Sequence, residues 1–259
     1  MSGRRLAAPL TAFVLHRYDW SESSLILELF TREMGRVAVA AKGAKRPYSQ
    51  LRSLLLPFQR VHVSLTRPAD APGSGDVQNL RSAEFAGGGA MFAPQRLFSG
   101  FYINELLLKF LARHDVHERL FDAYADSLDA LAQASDRDAQ TALRAFELLL
   151  LRETGLLPDL HVESTTQRAL SADQPYALRG ESGLVGAQHD EPALPGRSWL
   201  ALGEAMGNEK SDVLRRACGG HRGALKAQLR AVLHYHLGHP TLRTRDVMRG
   251  LQGLVSDPL

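Results

Sequence analysis

One cysteine in 259 residues, Cys218, excludes an internal disulfide and any zinc site built from several thiolates. Such usage fits a reducing, cytoplasmic setting. Long apolar runs are missing too. A membrane helix needs about 20 apolar residues in a row, and the longest candidate, FELLLLRETGLL, is interrupted by Arg152 and Glu153. The opening MSGRRLAAPL lacks the apolar centre of a secretory signal, so none is expected. Nucleotide and hydrolase signatures are also absent. AAKGAKR does not have the GxxxxGK[ST] spacing that wraps a triphosphate, and no GxSxG elbow occurs. HYHLGH (His234, His236, His239) suggests metal, but helical residues two apart point to different faces, so His234 and His236 do not converge. Carboxylate pairs such as Asp115 and Glu118 read as helix surface. Nothing assembles an acid, a base and a nucleophile, so the expectation is a binding protein without catalysis.

What is present is a core and a segregated charge. Hydrophobic residues make up 44%, enough for packed domains. The net charge of +3 hides two basic ends around an acidic middle. Residues 1–85 carry 12 Lys and Arg against 7 Asp and Glu, residues 86–210 carry 11 against 18, and residues 211–259 carry 8 against 3.

Residues 1–86 read as strands. LTAFVLHRY, SSLILELFTR, GRVAVAAKG, FQRVHVSLTR and VQNLRSAEF are short and β-rich, and Val61, Val63 and Leu65 alternate with Arg60, His62 and Ser64. Gly35 suits the positive φ of a hairpin turn. Between the third and fourth runs, YSQLRSLLLPF spaces Leu51, Leu54 and Leu55 as a short helix stopped by Pro57. Five strands with one helix after the third is the order of an OB-fold barrel, the helix plugging one end. AGGGA reads as a connector. Residues 87–259 then read as an all-α domain, with helices at QRLFSGFYINELLLKFLAR, VHERLFDAYADSLDALAQ, DRDAQTALRAFELLLLRETG, SWLALGEAMG and HRGALKAQLRAVLHYHLG. An irregular insertion at about 160–197 holds at most one hairpin.

OB-fold barrels bind single-stranded nucleic acid in a basic groove with stacking aromatics. The barrel supplies Arg17, Arg36, Lys42, Lys45, Arg46, Arg52, Arg60 and Arg67 for phosphates, with Tyr18, Trp20 and Tyr48 for base stacking. The Lys42–Arg46 turn is either a phosphate grip or a solvated turn, and its residues leave both open. Near the other end, Arg222, Lys226 and Arg230 share one helix face and extend a basic track that includes Arg215, Arg216, Arg243 and Arg245.

Read together, FVLHRYDWSESSLILELFTREMGRVAVAAKGAKR, LPFQRV, LRSAE, SGFYINELLLKFL, FELLLLRETG and YHLGHPTLRTRD resemble the RecO family of DNA repair and recombination mediators, over about residues 10–250. The resemblance implies an OB-fold followed by a helical domain. It implies binding of single- and double-stranded DNA, annealing of complementary strands, and action with RecR and the acidic tail of single-stranded DNA-binding protein (SSB) so that RecA loads. A nucleoid-associated protein follows. Many members carry a four-cysteine zinc motif after the LRxFE helix. Here that segment has no cysteine, so no zinc or other cofactor is expected. An acidic tail with a terminal apolar side chain and carboxylate needs an apolar pocket edged by a cation. By resemblance it falls on the LRxFE helix, at Leu143, Arg144, Phe146 and Leu150; alternatively Arg144 only pairs with Glu147 or Asp138. Two other readings stand beside this one: a protein–protein scaffold with incidental nucleic-acid binding, and an OB-fold RNA binder.

Overall fold

Alternation along five strands builds one enclosed core. In the computed structural model, which describes residues 9–66, 77–89, 92–133, 135–208, 211–238, 242–244 and 247, these are β1 (Leu10–Asp19), β2 (Leu25–Thr31), β3 (Gly35–Ala41), β4 (Gln59–Thr66) and β5 (Val77–Gly89). Every second residue points inward: Ala12 and Val14, then Leu25, Leu27 and Leu29, then Val37, Val39 and Ala41, then Val61 and Val63. The strands close as β1-β2-β3-β5-β4, with β4 returning to β1 through Leu10↔Val63 to Phe13↔Arg60. Closure leaves no sheet edge around the core. This is the OB-fold expected from the strand order. The plug helix α1 is one turn, Leu51–Leu54; Leu55 at its C-cap is buried in the barrel core, Leu51 packs against that core half-buried, and Leu54 is half-buried. Burying a leucine such as Leu55 contributes about 2 kcal/mol.

The chain forms two compact units, Met1–Met91 with Asn104–Asp122, and Phe92–Ile103 with Ala123–Leu259. In the first, residues from beyond the barrel cover its outer face. Phe121 packs on Phe13 and Phe30 at ring distances of 5.2 and 5.4 Å, and Asn104 Nδ2 donates to Leu15 O at 2.8 Å. Gly35 sits at φ 66°, and a Cβ there would lie 1.9 Å from Asp115 O, so the turn accepts glycine alone.

In the second unit, α4 (Asp136–Glu153) is central and buried along almost its whole length. Ser135 caps it, accepting from Asp138 N at 3.3 Å. The helices α2 (Pro94–Phe110) and α3 (Glu118–Gln133) run from one unit into the other. The cysteine-free insertion is ordered by a hairpin of β6 (Pro175–Arg179) and β7 (Gly183–Gly186), with β8 (Leu194–Pro195) on the other side of β6. Ser164 anchors it, its N–H reaching Leu184 O at 2.7 Å and its hydroxyl accepting from Leu184 N at 2.8 Å. Three further helices follow: α5 (Gly196–Gly207), α6 (Ser211–Ala217) and α7 (Arg222–Leu237). α6 was not expected from the sequence. No helix among the described residues is long and apolar enough to cross a membrane.

Candidate functional site

Two loops meet at one end of the barrel. Asp19, Leu25 and Ala41 lie opposite one another, so β1 ends, β2 begins and β3 ends at one level. The β1–β2 loop is then tied to the β3–α1 loop. Lys45 N donates to Ser23 O at 3.0 Å, and Lys45 Nζ reaches Ser21 O at 3.0 Å and Asp19 Oδ1 at 3.2 Å. The turn is shaped by Gly43, whose φ of 73° suits glycine, and pinned by the buried Ala44. Lys42, Arg46 and Arg52 remain exposed on this loop and on α1, and Arg17 near the end of strand β1. Among the described residues none of these four is ion-paired. Tyr48 is 99% exposed, Trp20 58% and Tyr18 47%. Tyr18 stands edge-on to His16 at 4.4 Å, and burial holds the His16 imidazole below its ordinary value. Cations and uncovered aromatic faces thus share one rim.

Other expected contacts lie elsewhere. Lys45 is a rivet between the loops, with its ammonium already engaged. Arg36 is drawn inward. Its side chain is 16% exposed, its guanidinium donates to Leu108 O, and it lies 3.9 Å from the buried Glu28, which also receives Arg113 Nη2 at 2.7 Å. Arg36 is thus turned into this network and away from solvent, with its Nε buried without a hydrogen-bond partner. Arg60 is half-buried, 5.9 Å from the Phe13 ring. It pairs with Phe13, six residues and about 20 Å along β1 from the rim at Asp19. Arg67 and Arg245 lie outside the described residues. An exposed aromatic the sequence reading missed is Phe85, 58% exposed opposite Val61 on β5.

The LRxFE helix, α4, also differs from expectation. Phe146 and Leu150 are 1% and 0% exposed and Leu143 is buried with them, so these three are core and not the wall of a pocket. Phe146 packs against Tyr124 at 6.3 Å. Of the four, Arg144 lines a cleft. That cleft, about 410 Å³, lies between α4 and α7 and is lined by Arg137, Gln140, Arg144, Arg222, Gly223 and Lys226. Beneath it, Arg144 Nη2 donates to Glu147 Oε1 at 2.5 Å, and Tyr102 Oη donates to the same oxygen at 2.7 Å. Burial raises the Glu147 carboxyl above its ordinary value, opposed by Arg144, by the Tyr102 hydrogen bond, and by the fields of Lys226 and Arg230. The same burial lifts the Tyr102 phenol and pushes the Cys218 thiol up to about 12. Arg144 Nε and Arg222 Nη1 are both buried without a hydrogen-bond partner. Arg137, Gln140 and Arg144, spaced i, i+3 and i+7, form a helix face that the sequence could have disclosed.

Arg215 and Arg216 line a second cleft of about 600 Å³ that shares Arg137 with the first and also presents Asp126, Asp129, Asp138 and Asp212, and Arg216 is paired with Asp212. That wall carries more acid than base, which disfavours a phosphate track. Arg230 is exposed on α7, and Arg243 is exposed beyond it. His236 stacks edge-on to Tyr235, and His239 lies outside the described residues. Among the described residues no group of three or more His, Cys, Asp or Glu is placed to hold a metal ion.

Comparison with known proteins agrees with this architecture. Residues 8–86 match the family described as "Recombination protein O N terminal", and residues 91–246 match "Recombination protein O C terminal". The chain is 49% identical over 246 residues to the DNA repair protein RecO of Polaromonas sp. (strain JS666 / ATCC BAA-500), covering 94% of this chain and 96% of the relative. It is 47% identical over 256 residues to that of Verminephrobacter eiseniae (strain EF01-2), covering 98% and 100%. A barrel continued by a helical region, two adjoining family matches, and relatives near half identity along nearly their full length lead to one conclusion: the chain belongs to the RecO family of DNA repair proteins.

Proposed function

We propose that the chain is a recombination mediator that binds single- and double-stranded DNA, anneals complementary strands, and acts with RecR and SSB so that RecA loads. The observation that carries this reading is the barrel rim, where Lys42, Arg46, Trp20 and Tyr48 are uncovered on loops fixed by Lys45. Cations there neutralise backbone phosphates, and aromatic faces stack on bases of any sequence. Annealing then needs no covalent step. Two strands repel through their phosphates, and a protein with two cationic surfaces raises their effective concentration. The division of labour follows the chain: residues 1–86 hold DNA, while residues 87–259 add the α7 row and receive the acidic tail of SSB. For the tail, Arg144 is the cation at the heart of the α4–α7 cleft, and Arg137, Arg222 and Lys226 stand around it.

The test is annealing of complementary oligonucleotides coated with SSB, with and without its tail. The wild type accelerates annealing of coated strands only when the tail is present. Lys42→Glu with Arg46→Glu slows it by about tenfold or more, since two phosphate contacts become repulsions. An unchanged rate in that variant removes the rim from the mechanism. Peptide binding without annealing replaces the mediator by a scaffold.

A further inference from the structure

Under the proposed function an acidic peptide and a DNA backbone draw on one set of cations. The α7 row has Arg222, Lys226, Arg230 and His234 at four-residue steps, one helical face about 18 Å long. Its first two members line the α4–α7 cleft with Arg137, Gln140 and Arg144. The third, Arg230, acts electrostatically on Glu147 beneath that cleft, as Lys226 does. The row and the cleft are therefore one electrostatic unit, and no part of the first half of the row lies outside the cleft wall.

The cleft is also short of acceptors. Arg144 is 5% exposed, and among the described residues its hydrogen-bond partner is Glu147. Its Nε and the Nη1 of Arg222 are buried donors without an acceptor. Buried guanidinium donors of this kind are met by a carboxylate or a phosphate oxygen, and either satisfies the same atoms. Arg222 and Lys226 cannot serve a peptide carboxylate and a DNA backbone at once.

We infer that an acidic peptide and a DNA strand exclude each other at the α4–α7 cleft, so that engagement of DNA by α7 releases the peptide. This rests on the proposed function, which places each ligand there separately. By thermodynamic reciprocity each ligand weakens the other by the same factor. The barrel rim is not part of the exchange, so DNA held only at the rim leaves the peptide in place.

The test follows a fluorescent synthetic peptide with several aspartates and a C-terminal phenylalanine carboxylate by anisotropy. An oligothymidine carrying a second dye is titrated in, at a salt concentration where each binds alone. The apparent Kd of the peptide is expected to rise in proportion to free oligomer without a plateau, by about tenfold or more at the highest concentration, as direct competition requires. Lys226→Ala weakens both ligands. Arg144→Met combined with Glu147→Gln, which removes the buried pair together, weakens the peptide far more than the DNA. If, with the rim contacts removed by Lys42→Glu and Arg46→Glu, the second dye shows DNA bound while the peptide Kd stays constant, mutual exclusion is overturned and the mediator reading survives. If the peptide binds equally well with Lys226 or Arg144 substituted, the cleft is not its site, and the assignment beneath the inference falls with it.

Discussion

Removing Arg144 by itself should destabilise the protein before it says anything about binding. Glu147 is 1% exposed and keeps Oε2 buried without a hydrogen-bond partner. Its Oε1 has two donors, Arg144 Nη2 and Tyr102 Oη. Arg144→Ala removes the only one that is a cation within hydrogen-bond distance and opens a void at the cleft floor. Breaking a buried pair from one side costs about 3–5 kcal/mol. For a protein of this size each kcal/mol lowers Tm by about 2–4 °C, so a fall of roughly 6–20 °C is expected by differential scanning calorimetry. Arg144→Met with Glu147→Gln leaves no uncompensated charge and should recover most of the loss. Acid dependence carries the same signature. Burial raises the folded-state pKa of Glu147, so the folded chain holds its proton more tightly than the unfolded chain. That contribution is fully present below the ordinary glutamate value of 4.5 and is lost as pH rises from there through the raised folded value. Glu147→Gln should flatten this stretch of the stability profile. A Tm for Arg144→Ala within about 2 °C of wild type would refute the reasoning, since it would mean a penalty near 1 kcal/mol or less.

Two further outcomes test the packing. Gly35→Ala places a non-glycine residue at φ 66° and a Cβ 1.9 Å from Asp115 O, which also disturbs the His114 N to Arg36 O hydrogen bond of 2.9 Å. A loss of about 3 kcal/mol is expected in urea unfolding, and a midpoint equal to wild type would contradict the close approach. Cys218, buried and with its thiol pushed up to about 12, should resist an aromatic disulfide reagent in the native protein and react at once in denaturant; rapid native labelling would show that the site opens.

The barrel was legible because its signals are local. Val61 and Val63 alternate with Arg60 and His62, Gly35 marks a turn, and a short Leu-rich helix sits between the third and fourth strands. The insertion was only half legible: its hairpin is set by turn residues, but its anchoring through Ser164 joins positions 20 residues apart. The covering of Arg36 was not legible, because strand alternation does turn it outward, while the segment around Leu108 and Arg113 that covers that face comes from over 70 residues away. On α4 the motif LRxFE drew attention to Phe146 and Leu150, although a helix buried on nearly all sides keeps its apolar residues for the core. The polar face, Arg137, Gln140 and Arg144, was legible from its helical spacing. It becomes a cleft only because α7 brings Arg222 and Lys226 to it. α6 gave little warning, being seven residues with one fully buried leucine, Leu214.

The most direct test of the central claim is the salt dependence of single-stranded DNA affinity, compared between wild type and Lys42→Glu with Arg46→Glu. Each single-strand phosphate contact contributes about 0.7 to the slope of log K against log salt, so losing two lowers it by about 1.4 and weakens binding about 25-fold at roughly 0.1 M salt. Both side chains are exposed and unpaired among the described residues, so Tm should not move. A shallower slope with weaker binding and unchanged Tm is the predicted result. The same Kd and the same slope in both proteins would contradict the account, and the Lys42–Arg46 loop would then be only a solvated turn.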